Sequence, residues 1–101
     1  MTDVWNFDFE GVTLRALLRG DQVWLVVTDL GRAANIVSSL RLALDHCRGV
    51  QRLVVPGADG AVSMACITGR DIDRFCEAVS PPADRLKAFI AATIIPALRT
   101  Q

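Results

Sequence analysis

Val23–Ala34 reads VWLVVTDLGRAA, and this stretch decides the fold. The continuous apolar run over Val23–Val27 predicts a central strand, because both faces of such a strand must be covered by the core. Thr28 or Asp29 follows, and either side-chain oxygen can accept from the free amide groups in the first turn of a helix. We therefore expect a buried strand that leads directly into a short capped helix ending near Asn35.

The residues on the amino-terminal side predict a β-meander. Apolar and polar residues alternate over residues 5–9 and again over residues 12–19, which is the period of a strand with one buried face. The turn-forming pairs Glu10-Gly11 and Gly20-Asp21 separate these two strands from each other and from the central strand.

The middle of the chain predicts a short helix and then a hairpin. The helix runs from Leu40 to about Cys47 behind a Ser38-Ser39 cap, with Leu40, Leu42 (or Ala43) and Leu44 facing inward and Arg41, Asp45 and Arg48 facing outward. Two β-prone runs, residues 52–55 and 62–67, flank a glycine- and proline-containing tip and predict the hairpin.

Two helices are expected in the carboxyl-terminal third. Thr68-Gly-Arg-Asp71 has the spacing of a capping box and predicts a helix start, and Ser80-Pro81-Pro82 ends that helix and begins the last one. The apolar stripe of the first helix is Ile72, Phe75, Cys76 and Val79, and the inward face of the last helix is Leu86, Phe89, Ile90, Thr93, Ile94 and Ala97.

Composition places these elements in one domain over residues 1–101. With 51% hydrophobic residues the chain can form a full core, and its apolar runs are far shorter than a membrane span. The start of the chain lacks the pattern of a signal peptide, so we expect a cytoplasmic protein. The predicted class is α+β: a small antiparallel sheet or meander with short helices and a long C-terminal helix packed against it.

No chemistry of an enzyme is indicated. Three cysteines, an odd number without regular spacing, are expected to be reduced and mostly buried. His46 and Cys47 are neighbours, and neighbours on a helix point about 100° apart, which disfavours a catalytic pair. We expect no metal, no cofactor and no enzymatic activity.

The order of these segments resembles the Bro-N domain, found at the N-terminus of phage antirepressors and viral Bro proteins. The matching positions are Phe9-Glu-Gly11, Trp24, Asp29, Leu40, Ala43, His46, Ile67–Ile72, and the closing set Leu86, Phe89, Ile94, Ile95, Pro96 and Arg99. The chain departs from the family pattern at Thr28, Asn35, Leu86, Phe89 and Thr93. The resemblance implies a DNA-binding domain, which in antirepressors precedes a second, variable domain that we do not expect here.

Arginine placement supplies the predicted DNA contacts. Eleven basic and eleven acidic residues cancel, yet ten of the eleven cations are arginine, the residue suited to forked contacts with phosphate. We expect Arg32, Arg41, Arg48 and Arg52 to contact phosphates and Ser39 with Arg41 to reach base edges. Arg15 and Arg19 form a second set on one strand face. A homodimer on a two-fold site of double-stranded DNA is the expected assembly.

A protein partner is the alternative to DNA. A neutral, small domain suits an antirepressor or anti-defence protein that binds a repressor or host regulatory protein. An exposed apolar stripe, Leu17 or Val37 with Ile36, would supply that interface. The two hypotheses differ in whether the arginines gather on one face.

Overall fold

Five strands and a series of helices build the chain between residues 3 and 100, the part that the computed structural model describes. In order they are β1 (Val4–Phe9), β2 (Val12–Arg19), β3 (Gln22–Val26), α1 (Val27–Ala33), α2 (Ser39–His46), β4 (Gln51–Val55), β5 (Val62–Thr68), α3 (Gly69–Ala78), α4 (Asp84–Phe89) and α5 (Ile95–Arg99). The strands form one antiparallel sheet in the order β1-β2-β3-β5-β4. The predicted α+β class, with its antiparallel sheet and C-terminal helix, is confirmed.

Tight turns produce the predicted meander. Glu10 and Gly11 join β1 to β2 with φ angles of 50° and 86°. Two successive residues with positive φ match the twist of a two-residue antiparallel hairpin, which explains the glycine at the second position. β3 returns beside β2 with Arg19 opposite Gln22.

The helices cover one face of the sheet. The apolar stripe predicted for α3 is buried as expected, and it packs into the same cluster as Leu14 and Leu25 of the sheet. Val27 and Leu30 of α1 and Leu86 of α4 belong to this cluster as well. The main core therefore lies between the sheet and its helical layer.

A second apolar cluster lies on the opposite face and consists of strand residues. Its buried members are Leu17, Val26, Leu53, Val55 and Cys66, with Trp24 packed against it. All of these members lie on strands, so this cluster is built by side chains of the sheet itself. The expectation that Leu17 supplies an exposed interface is therefore wrong, because its side chain is fully buried.

The last helix contains a wide turn. α4 runs without a break through a π-helical segment, Ile90–Ile94, into α5. The buried residues Leu86, Ile90, Ile94 and Leu98 recur every four positions. In a regular α-helix each residue turns by 100°, so side chains four residues apart are rotated by 40° relative to each other. The wider π-helical turn holds one extra residue and so keeps the four side chains on one face of the helix. Thr93, predicted to face inward, is exposed for the same reason.

The inward face of α2 differs from the prediction. Leu40 and Leu44 are 37% and 58% exposed, whereas Ser39 and Ala43 are buried. A Cβ atom placed on Gly31 of α1 would lie 2.4 Å from Cβ of Ser39, which shows how closely the two helices approach. Small residues allow this approach, and they turn the two leucines outward.

Candidate nucleic-acid interface

Strand register brings several chain segments to one end of the sheet. Leu17 of β2 pairs with Trp24 of β3, and Trp24 pairs with Thr68 at the end of β5. Beyond this row, β2 continues to Arg19 and the chain leaves β5 toward Arg70. β4 begins at Gln51, opposite Cys66, so the residues just before it reach the level of Thr68.

Four arginines are placed at or beyond this row, Arg19, Arg48, Arg70 and Arg99, and a fifth, Arg52, lies on β4 opposite Ala65, three residues inside it; we call this group the arginine end. Arg99 lines a shallow depression with Gly20, Asp21 and Gln22 of the β2–β3 turn, which brings the last helix to the same place. All five are exposed. Within residues 3–100, none of the five guanidinium groups forms an ion pair.

Asp71 holds the segments of the arginine end together. Its carboxylate accepts the backbone N–H of Arg48 at 3.1 Å, the backbone N–H of Gly49 at 2.8 Å and Nη1 of Arg74 at 3.1 Å. Desolvation opposes ionisation, but these hydrogen bonds prevail and lower the pKa of Asp71 below its ordinary value. The start of α3, with Arg70, is thereby fixed to the loop that carries Arg48.

This role of Asp71 replaces the predicted capping box. α3 begins after Thr68 as expected, but the Thr68 side chain makes no cap hydrogen bond. Asp71 points instead to the loop before β4. The sequence spacing located the helix correctly and misassigned the acid.

The net charge of the chain is zero, but the charged side chains are unevenly distributed over the structure. The other basic side chains each meet an acid: Arg15 and Arg32 with Asp29, Arg41 with Asp45, Arg74 with Asp71, Arg85 with Glu10 and Lys87 with Glu77. At the arginine end, Asp21 and Asp3 are the exposed acids that the strand register places nearby. The five arginines therefore give this end a positive excess.

The residues predicted to contact DNA do not all lie together in the structure. Arg48 and Arg52 belong to the arginine end, whereas Arg32 pairs with the buried Asp29 and Arg41 pairs with Asp45 along α2 at 3.4 Å. Ser39 is 7% exposed and packs beside Gly31, so its predicted contact with base edges does not fit the structure.

Asp29 has a structural role that differs from the one predicted from the sequence. It was expected to cap α1, yet the helix begins at Val27, and Asp29 contacts Arg15 and Arg32. The hydrogen bonds that the Arg15 guanidinium donates to Asp29 raise the pKa of Arg15 above its ordinary value despite partial burial. The Arg15 side chain is therefore occupied by a structural ion pair. Of the two arginines predicted on this face of β2, Arg19 is the one that remains available for a DNA contact.

Reactive groups do not gather in the part of the chain that is described. No three histidine, cysteine or acidic side chains between residues 3 and 100 lie together as metal ligands. Burial raises the pKa of Cys47 and of Cys66 to about 11 and that of Cys76 to about 12, and all three cysteines are free thiols. No helix in residues 3–100 has the length and apolar character needed to cross a bilayer.

Comparison of the chain with protein-family models, curated proteins and solved structures finds no match. The resemblance to Bro-N stays a prediction that rests on the order of the motifs quoted above.

Proposed function

We propose that the protein is a transcriptional regulator of the phage or prophage type that binds double-stranded DNA through the arginine end. The observation that supports this proposal is a group of five exposed arginines that form no ion pair within residues 3–100, four of them at one end of the sheet and Arg52 just inside it. A guanidinium group can donate two parallel hydrogen bonds to a phosphate, which makes exposed arginine well suited to the DNA backbone.

Several strands contribute to the arginine end. Arg19 lies two residues beyond Leu17 on β2, Arg70 lies two residues beyond Thr68, and Arg52 lies inside β4 opposite Ala65. Guanidinium contacts to phosphate oxygens position a protein on DNA without reading its sequence.

Salt dependence is the direct test. Each neutralised phosphate contributes about −0.9 to the slope of log K against log salt, so five contacts predict a slope near −4.5. Between about 50 and 200 mM salt, affinity for a random-sequence duplex should then fall about 500-fold, as read by fluorescence anisotropy.

Variants identify the surface. Arg48→Gln with Arg70→Gln should flatten the slope by about 2. Arg32→Gln with Arg85→Gln removes two exposed arginines that are already paired, and this matched control should leave the slope unchanged. Salt-independent affinity, or equal effects of the two double variants, would contradict DNA binding at the arginine end.

Cellular location and assembly follow from this proposal. A regulator of this kind acts in the cytoplasm of its host, beside the DNA, and needs no cofactor for the phosphate contacts described. One copy presents a small surface, so we propose a homodimer on a two-fold site.

A second candidate function is binding to a repressor or host regulatory protein without DNA. The exposed apolar residues Val37, Leu40 and Leu44 favour it, because contiguous exposed apolar patches mark interaction surfaces. The absence of DNA binding at micromolar protein in low salt, together with capture of such a regulator that Leu44→Glu abolishes, would select this alternative.

A further inference from the structure

The β2–β3 hairpin extends beyond the strands on both sides of it. β1 pairs with β2 up to Leu17 and β5 pairs with β3 from Trp24, whereas β2 and β3 continue to pair with each other as far as Arg19 and Gln22. At about 3.4 Å per residue, the turn at Gly20 lies about 10 Å past Leu17. The arginine end therefore includes a two-stranded ribbon that projects past its neighbouring strands.

The tip of this ribbon is narrow. Gly20 and Asp21 alone join the last pair of strand residues, and Gly20 has a φ of 62°. That left-handed conformation suits a glycine at the first position of a two-residue hairpin turn. The major groove of B-DNA is about 8.5 Å deep and admits a two-stranded ribbon. A ribbon that projects about 10 Å is long enough to bring its tip to the base edges.

The two faces of the ribbon differ in character. Leu18 and Val23 face the helical layer and belong to the main core cluster together with Leu98. Arg19 and Gln22 are directly opposite each other and point to the other face, because successive side chains of a strand alternate. Both are exposed. The face turned away from the helices thus presents a cation beside an amide.

The polar groups of the tip are available for contacts with another molecule. Asp21 and Gln22 are exposed, and within residues 3–100 neither side chain forms a hydrogen bond or an ion pair. A carboxylate repels phosphate, so Asp21 needs a contact of another kind. In the major groove, an aspartate accepts a hydrogen bond from the cytosine amino group, and a glutamine forms two hydrogen bonds with adenine.

We propose that the β2–β3 ribbon enters the major groove and selects the DNA sequence, with Gln22 on the edge of an adenine and Asp21 on the amino group of a cytosine. Arg19 and the other arginines of the arginine end hold the phosphates beside them. The inference rests on the proposed function and deepens it by naming the residues that distinguish one sequence from another. It also supplies the base contacts that the buried Ser39 does not make.

Selection of duplexes from a randomised pool, followed by fluorescence anisotropy on the selected motif and its single-base variants, measures this specificity. Gln22→Ala should lose the discrimination at an adenine position, which is about 5- to 150-fold in affinity for a two-bond contact. Asp21→Ala should lose the preference for cytosine at another position. Its affinity for random-sequence duplex should rise at the same time, because a negative charge leaves the arginine end.

Asn6→Ala is the matched control. Asn6 is an exposed amide on β1, opposite Arg15 and outside the ribbon, so this variant should select the wild-type motif. Gln22→Ala and Asn6→Ala should both keep the wild-type salt slope, because neither removes a cation. A salt-dependent affinity without base preference, or a preference that Gln22→Ala and Asp21→Ala leave intact, would overturn this inference alone. Absence of binding to any duplex would overturn the proposed function and this inference with it.

Discussion

The carboxylate of Asp29 occupies the position of a neighbouring strand beside Arg15. Oδ2 accepts the backbone N–H of Arg15 at 2.9 Å and Nε of its side chain at 2.9 Å, while Nη2 lies 2.8 Å from Oδ1. β3 pairs with β2 only from Ala16 to Arg19, so the amide of residue 15 lies just beyond that ladder. One side chain therefore continues the hydrogen bonding of the sheet after the backbone has turned into α1.

Asp29→Ala should strongly destabilise the protein. Asp29 is only 1% exposed, and its loss would leave a half-buried guanidinium and a backbone N–H without an acceptor. Removal of one partner from a buried ion pair costs about 3–5 kcal/mol, and partial exposure of Arg15 places the expected loss near the lower value. Urea denaturation measures the change in the free energy of unfolding. Asp45→Ala, which removes an exposed pair with Arg41, should change it by less than about 1 kcal/mol.

Gly31→Ala should also destabilise, although alanine is the better helix former. An added Cβ would lie 2.4 Å from Cβ of Ser39, so α1 and α2 would have to separate, at a cost of about 1–3 kcal/mol. The double variant Gly31→Ala, Ser39→Gly removes the colliding atom and should recover much of that loss. Thermal unfolding of the two variants compares them, and a Gly31→Ala protein more stable than wild type would contradict the close approach.

Local patterns predicted most of the elements. Alternation in residues 5–9 and the apolar run from Val23 each carry their own periodicity, and β1, β2 and β3 form where expected. The same information could not decide which side of α2 is buried, because Leu40, Leu44 and the small pair Ser39 and Ala43 all repeat every four residues. Close packing against Gly31 decides it through volume rather than hydrophobicity.

The candidate site needed information that a single segment does not contain. Asp29 meets Arg15, which lies 14 positions earlier on another strand, so its spacing to nearby amides suggested a cap instead. Arg48 and Arg52 were predicted as phosphate contacts from the sequence, but Arg70 and Arg99 join them only through strand register and helix packing. The ion pairs then show which arginines are already bound to an acid within the fold and which remain available for DNA.

The three thiols should be unreactive in the folded protein. Burial raises the pKa of Cys47 and Cys66 to about 11, so at pH 8 only about one thiol in a thousand is a thiolate, against about a quarter for an ordinary cysteine. Reaction with a disulfide reagent at pH 8 should be more than 100-fold slower in the native protein than in guanidinium chloride. A single fast native phase would show that Cys47, the partly exposed thiol, is accessible as thiolate.

Asp71 should link stability to acidic pH. Its carboxylate form accepts two backbone N–H groups and Arg74, so the pKa of Asp71 is lower in the folded protein than in the unfolded chain. A lowered pKa means that the stabilisation is complete above the ordinary value of 3.8 and is lost as pH falls below it through the folded value. Asp71→Asn should therefore reduce the free energy of unfolding by about 1–3 kcal/mol at pH 7, and the gap to wild type should narrow below pH 4. Urea titrations at pH 7, 5 and 3 measure that gap, with Asp73→Asn, at an exposed position on the same helix, as the control. A gap that stays constant down to pH 3 would mean that the charge of Asp71 does not hold the loop before β4 to α3.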